Sequence, residues 1–418
     1  VRDLLGEEFV VFMMSGTSGQ EIHGLVTRVS WKMKFLESAL ERFGGVALGE
    51  AFDARAYDKA WCLAATLVFL GKADNEQQQF HAQYKGQGPI RPRGRVERAA
   101  WFNDLMHPDE DRYVSKIMEL MAPAVHAVKQ ASDKALNLAK HKPVDPMTST
   151  VTFAKTFGFV MQVLNIPIQP RLFLQQQAPG GLTHIPGSNP PAVIAGSTLL
   201  SGYTPMDLMF VNGRFLSYYL SEHFVRTLFQ SHTELRMLLL AALRISGMGP
   251  ADPQVDAWAG QISQHLTAAQ QDGLRAVCRK FIEAGGSTDI KKWMQSVELT
   301  GVRAGFLLAN DLEVARKMIQ ALPPEGSVDL PPKDKLKELV LFSVSESYFK
   351  LREQLGIQYR PLDQSLNEFF QQLVDAYSKV LIPQRTLPEK LSAESNTPLL
   401  ALNRCIHKYE YYGNKERE

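Results

Sequence analysis

The chain has little cysteine, no surplus of either charge and no long apolar run. Each of these scarcities narrows what it can be. Its 418 residues hold three cysteines, Cys62, Cys278 and Cys405. They are far apart, odd in number and in no CxxC pair, which excludes a disulfide framework and a cysteine-rich zinc knuckle. Buried free thiols are the expectation. Lys and Arg number 46 against 44 Asp and Glu, a formal net charge of +2. A dedicated nucleic-acid binder would carry a marked basic surplus, so nucleic acid is not an expected partner. No uninterrupted apolar run approaches the ~20 residues needed to cross a bilayer. The richest, Met237–Leu243, reads as one buried helix segment. The opening residues Val1–Glu8 turn acidic at once and lack the layout of a secretory signal, so a cytoplasmic location is expected. A G-x-S-x-G elbow is missing too, and no Cys/His pairing marks a nucleophile.

What is present is ordinary globular material, with 45% hydrophobic and 22% charged residues. At roughly 100–200 residues per domain, the length suggests two to four domains. Helical periodicity is clear over 22–43 (Ile22, Leu25, Val29, Met33, Leu36, Leu40), and Gly44-Gly45 closes it. Segment 54–71 mixes small and large apolar residues after a Tyr-Asp-Lys-Ala start and resembles one tetratricopeptide helix. Residues 84–98 are broken by Gly and Pro and carry Arg91, Arg93, Arg95 and Arg98, which reads as a basic linker or a contact for an acidic surface. Helices are expected at 110–131 and 151–164. From Ile166 prolines and glycines crowd the chain, and two compact runs between them, Arg171–Gln175 and Ala192–Gly196, predict a small sheet. After Tyr203 the pattern is helical nearly to the end, with Pro323-Pro324 and Pro331-Pro332 bracketing a second linker. The expected class is mainly α with a small β-sheet.

One segment carries chemistry. Residues 192–224 run from a strand through Leu199-Leu200 to a helix start with Thr204 as N-cap, Pro205 at N1 and Asp207 at N3, and then a long buried helix. This strongly resembles the HtpX/Oma-type zinc metallopeptidases, in which an edge strand leads to a double leucine and then S-x-x-E-L-x-F-V-L-x-H-E-L-x-H. Thr204 matches the capping serine, and Asp207-Leu208-Met209-Phe210-Val211 match E-L-x-F-V. The metal motif then falls on Arg214-Phe215-Leu216-Ser217-Tyr218. That chemistry needs two histidines one helical turn apart and a glutamate base between them. Arg214 and Tyr218 stand at the histidine positions and Phe215 at the base. Arginine cannot ligate, and phenylalanine cannot take a proton. The family's third ligand is a Glu in a downstream E-x-x-A-D-R-x-G helix. Glu298-Leu299-Thr300-Gly301-Val302-Arg303-Ala304-Gly305 resembles it, with Glu298 at the ligand position and Val302 in place of the supporting Asp.

The resemblance implies a peptidase-like frame that has lost its zinc, with no cofactor and no catalytic residue. It extends to large bacterial proteins in which tetratricopeptide-like helices precede such a degenerate domain. The implied layout is a helical-repeat-like region at 1–83, the linker at 84–98, a degenerate metallopeptidase-like domain at 99–322, a Pro-rich linker at 323–335 and C-terminal helices at 336–418. In the family's geometry Arg214 and Glu298 would face one another, so an ion pair joined by the Tyr218 hydroxyl is expected to replace the metal. Of the other histidines, His184 reads as ordinary, His223 and His232 as surface or capping residues, and His107–Asp111 as a helix start with acids suiting the dipole. If zinc were bound after all, Glu298, His223, His232 and His184 would be its candidates. The expected function is a non-catalytic scaffold for protein partners. A subunit of a homo-oligomer or larger assembly, and a hydrolase with an unrecognised site, are the alternatives.

Overall fold

Capping chemistry sets most helix starts, and burial decides what each helix faces. In a computed structural model, the structure describes residues 54–358 apart from 86–87, 178–179, 323–325 and 327. The expected helix at 22–43, Cys405 and everything beyond 358 lie outside the described residues. Asp58–Gln358 fall in one compact unit. The described part is mainly helical with one three-stranded sheet. None of its helices is long and apolar enough to cross a membrane.

Helices α1 (Ala54–Phe69) and α2 (Asn75–Tyr84) are joined by a turn in which Gly71 takes φ 65°. Among the described residues the segment that follows has no regular element up to Glu97, yet it is fastened. Arg93 N donates to Leu355 O at 2.8 Å and Val96 N to Val163 O at 2.8 Å, and Val96 is fully buried. A Cβ on Gly94 would sit 2.4 Å from Gln354 O, so only glycine allows this approach. A helical turn, Arg98–Ala100, continues into a π turn, Trp101–Leu105. Next come α3 (Arg112–Lys129), capped by Asp111, and α4 (Thr152–Val163).

The sheet has the order β1-β3-β2. β1 (Arg171–Gln175) runs parallel to β3 (Ala192–Gly196), and β2 (Leu182–Ile185) pairs antiparallel with β3. The first and last were legible as apolar runs. β2 was not expected: four residues, Leu-Thr-His-Ile, between turns are too few for alternation to register.

β3 leads into α5 (Pro205–Leu216), which is buried from Asp207 through Leu216. The expected long helix through Phe224 does not form. A 3₁₀ turn, Ser217–Tyr219, tightens the chain, Ser217 Oγ bonds back to Arg214 O at 2.8 Å, and Leu220 is extended. The exit redirects His223 into the interior. Helices α6 (His232–Ile245), α7 (Pro253–Ser263) and α8 (Ala268–Glu283) pack with α3 into one cluster. α9 (Ile290–Ala309) is the hub, with 16 of its 20 residues buried. A helix buried on nearly every side is a core element. Asn310, left-handed at φ 54°, ends it, and α10 (Leu312–Ala321) follows. α11 (Pro332–Phe342) begins inside the stretch expected as linker, because proline suits the first helical turn. α12 (Glu346–Gln354) returns to α1 through Arg352, which is buried and holds both carboxylate oxygens of buried Asp58 at 2.7 and 2.8 Å.

α5 and α9 touch through glycine. A Cβ on Gly213 would lie 2.9 Å from Ala304 O, and one on Gly305 would lie 2.7 Å from Phe210 O. Backbone therefore meets backbone, which brings polar side chains on both helices within reach. Gly305→Ala is expected to cost about 1–3 kcal/mol by forcing this contact apart. Gly260→Ala in α7, where the added methyl meets nothing within 4 Å, should stabilise by up to ~1 kcal/mol through helix propensity. Urea-unfolding midpoints of the two variants should move in opposite directions.

Candidate functional site: buried charge clusters around α9

The close α5–α9 contact is anchored at its entry. Thr204 Oγ1 accepts from Asp207 N at 3.2 Å, and Asp207 Oδ2 accepts from Thr204 N at 2.8 Å, a reciprocal capping box. Lys317 of α10 reaches the same Asp207 carboxylate at 2.6 Å. From that fixed start, Arg214 falls near the end of α5 and Tyr218 in the turn beyond, both facing α9.

Glu298 is fully buried and has three neighbours. Its Oε1 accepts from Arg214 Nε and Nη2, each at 2.9 Å, and from the Lys335 ammonium. Its Oε2 accepts from the Tyr218 hydroxyl at 2.7 Å. Burial alone would push this carboxyl up; Arg214 and Lys335 together hold it below the usual carboxylate range. It is therefore an anion at neutral pH. Lys335 comes from α11 and was not anticipated. A signal was available, since it lies on the face of α11 that carries Leu336, Leu339 and Val340, all buried. A lysine on an apolar face needs an anion beneath it.

Phe215 points the other way. It stacks on His184 of β2 with centroids 4.0 Å apart and planes at 11°. His184 Nδ1 lies 3.1 Å from the Tyr219 hydroxyl. Burial first, then the charges of Arg226 and Arg214, push His184 down to about 3, so its ring is neutral at any physiological pH. Val302 is fully buried.

A second carboxylate sits beside α9. Glu110, expected to lie at the helix start with its neighbours, is turned inward and buried, while Asp111 does the capping. Glu110 Oε1 accepts from Ser115 Oγ at 2.6 Å and lies 3.0 Å from His223 Nε2; its Oε2 accepts from Thr300 Oγ1 at 3.3 Å. Trp293 Nε1 donates to Ser115 Oγ at 2.9 Å. His223 corrects an expectation: it is fully buried, neither surface nor cap, with Nδ1 3.2 Å from Ser217 O. The 3₁₀ exit from α5 is what carries it there. Burial would lower the imidazole, but Glu110 raises it above its ordinary value, and His223 in turn holds Glu110 below its own. A third carboxylate, Glu338 of α11, accepts from Arg303 Nε at 2.6 Å and lies 3.3 Å from His107 Nε2.

Arg214, Tyr218 and Glu298 are thus brought together, with His184 and Phe215 stacked beside Tyr218; the basic residues and His232 do not join them. Arg91, Arg93 and Arg95 are exposed. Arg98 pairs with Glu119 and with buried Glu222. His232 opens α6, capped by Ser231. Cys62 and Cys278 are buried free thiols, and burial pushes Cys62 up to about 12. Among the described residues no three His, Cys, Asp or Glu side chains converge as metal ligands would.

No family model matches the chain, and no solved structure matches it. Over 54 residues it is 41% identical to the probable splicing factor 3A subunit 1 of Arabidopsis thaliana, which covers 13% of this chain and 7% of that protein. A likeness so short carries neither the fold nor the activity of that protein.

Two measurements test these clusters. Glu298→Gln keeps the shape but leaves buried Arg214 and Lys335 without this counter-charge, and is expected to cost about 3–5 kcal/mol in urea unfolding. Lys335→Met should cost less, because the Arg214 and Tyr218 bonds survive. The Glu110–His223 pair predicts a pH signature. His223 has a raised folded pKa, so its contribution is complete below the ordinary imidazole value of 6.5 and is lost as pH climbs through the raised value. Glu110 has a lowered one, so its share is lost only as pH falls below 4.5. The stability gap between the wild type and His223→Gln should therefore shrink on going from pH 6 to alkaline pH; a constant gap would show that the pair is not ionised.

Proposed function

We propose that this chain is a non-catalytic interaction scaffold on a zinc-metallopeptidase-like frame, in which a salt-bridge cluster closes the position a metal would take. One observation carries the reading: Glu298, at the family's ligand position, is engaged by Arg214, Lys335 and Tyr218. The donor set does not suit zinc. A guanidinium offers no lone pair, the Lys335 ammonium is spent on Glu298, and the phenol donates its proton to the same carboxylate. Phe215, at the base position, is committed to a ring stack. No hydrolytic step is derived through such a site. A hydrolase built on Ser115, His223 and Glu110 is disfavoured by connectivity, since Ser115 donates to the carboxylate rather than to the imidazole and all three are buried. The function that remains is recognition by the surface, with protein partners as the expected class.

Elemental analysis of the dialysed protein should find zinc far below one atom per chain. The variant Arg214→His/Tyr218→His/Lys335→Met, which offers two imidazoles and Glu298 around one point, is expected to take up about one zinc per chain. Stoichiometric zinc in the wild type would overturn the non-catalytic reading. A folded triple variant that takes up none would remove the metallopeptidase-like frame.

A further inference from the structure

A recess of about 250 Å³, to whose lining Glu298 does not contribute, lies between α1, α2, the α9–α10 corner and the start of α12. Trp61, Phe69, Phe306 and Tyr348 give it aromatic walls. Its volume is just under the ~300–1,000 Å³ of sites that hold drug-sized ligands, which suits a single small ring system. We infer that it binds a small, uncharged, planar nitrogen heterocycle carrying a carbonyl oxygen beside a ring N–H.

The polar groups choose this class. His81 is half-buried and stacks on Trp61, with centroids 5.8 Å apart and planes at 29°. Neither of its ring nitrogens makes a hydrogen bond among the described residues. Burial and then Lys85 hold the imidazole below its ordinary value, so it is a neutral group with one donor and one acceptor. Asn310 is locked at the α9–α10 corner by its left-handed backbone. Its Oδ1 accepts from the Tyr348 hydroxyl at 3.1 Å and from Arg352 Nη1. Arginine can only donate, which assigns that atom as oxygen and leaves Nδ2 as a donor with no acceptor among the described residues. A cyclic amide offers both complements, a carbonyl for Nδ2 and an N–H for the imidazole nitrogen. The charges lining the recess already have counter-charges: Lys85 pairs with Asp311 at 2.9 Å, and Glu313 pairs with Arg316. An ionic ligand would lose its hydration without a free counter-charge.

The test titrates the full chain with uracil and 2-pyridone, using benzene and benzoate as the apolar and charged comparisons, by ligand-observed NMR. Saturable binding of the two cyclic amides is expected, with both comparisons weaker. His81→Phe keeps a ring on Trp61 but removes both nitrogens, and should weaken uracil about tenfold while leaving benzene unchanged. Ala65→Leu, which adds bulk to the wall, should weaken every probe; circular dichroism confirms that each variant is folded. The inference is overturned by the lack of saturable uracil and 2-pyridone binding up to ~10 mM, by benzoate binding as well as uracil, or by uracil affinity unchanged in folded His81→Phe.

Discussion

The packing of α5, α9 and α11 depends on one buried carboxylate. An isolated carboxylate is very costly to remove from water, and so is each of the two cations beside it. Glu298 is tolerated because each of its oxygens is engaged: Oε1 by a guanidinium and an ammonium, Oε2 by a phenol. The cluster ties the end of α5, the middle of α9 and the first turn of α11 to one point. Shifting any of these helices by one residue would leave a charge in the core without its partner. The glycine contacts make this possible, since backbone approach at Gly213 and Gly305 shortens the span the side chains must cross.

The same logic repeats along α9. Thr300 meets Glu110, and Arg303 meets Glu338. Each carboxylate arrives from a different part of the chain, and each is met by side-chain donors. An apolar core alone would accept several registers of a helix buried on nearly every side. These clusters discriminate among them, because a polar group misplaced by one position costs far more than a misplaced methyl.

Local signals in the sequence were strong where the physics is local. Thr204, Pro205 and Asp207 announce a capped helix because the cap is made within four residues, and the structure has that cap. The apolar runs at Arg171–Gln175 and Ala192–Gly196 are long enough to show as strands. β2 is too short to show. The end of α5 was hidden because Ser217, Tyr218 and Tyr219 are compatible with a helix. What stops it is a hydroxyl bonding back to Arg214 and the position His223 reaches beside Glu110, more than a hundred residues upstream. His223 looked like a surface residue because the carboxylate it meets, Glu110, is far from it in the chain.

The sequence by itself determined the class of the fold and the helix caps, since capping, periodicity and side-chain chemistry act over a few residues. It also determined that an arginine in a buried helix must meet an anion. The pairing of Arg214 with Glu298 across 84 positions was expected from a resemblance and is present; only the tertiary structure decided that Lys335 joins them and that Glu110 and His223 form a second pair. In each case the partner is chosen by distance in space, after helices have packed, and the intervening residues carry no record of it.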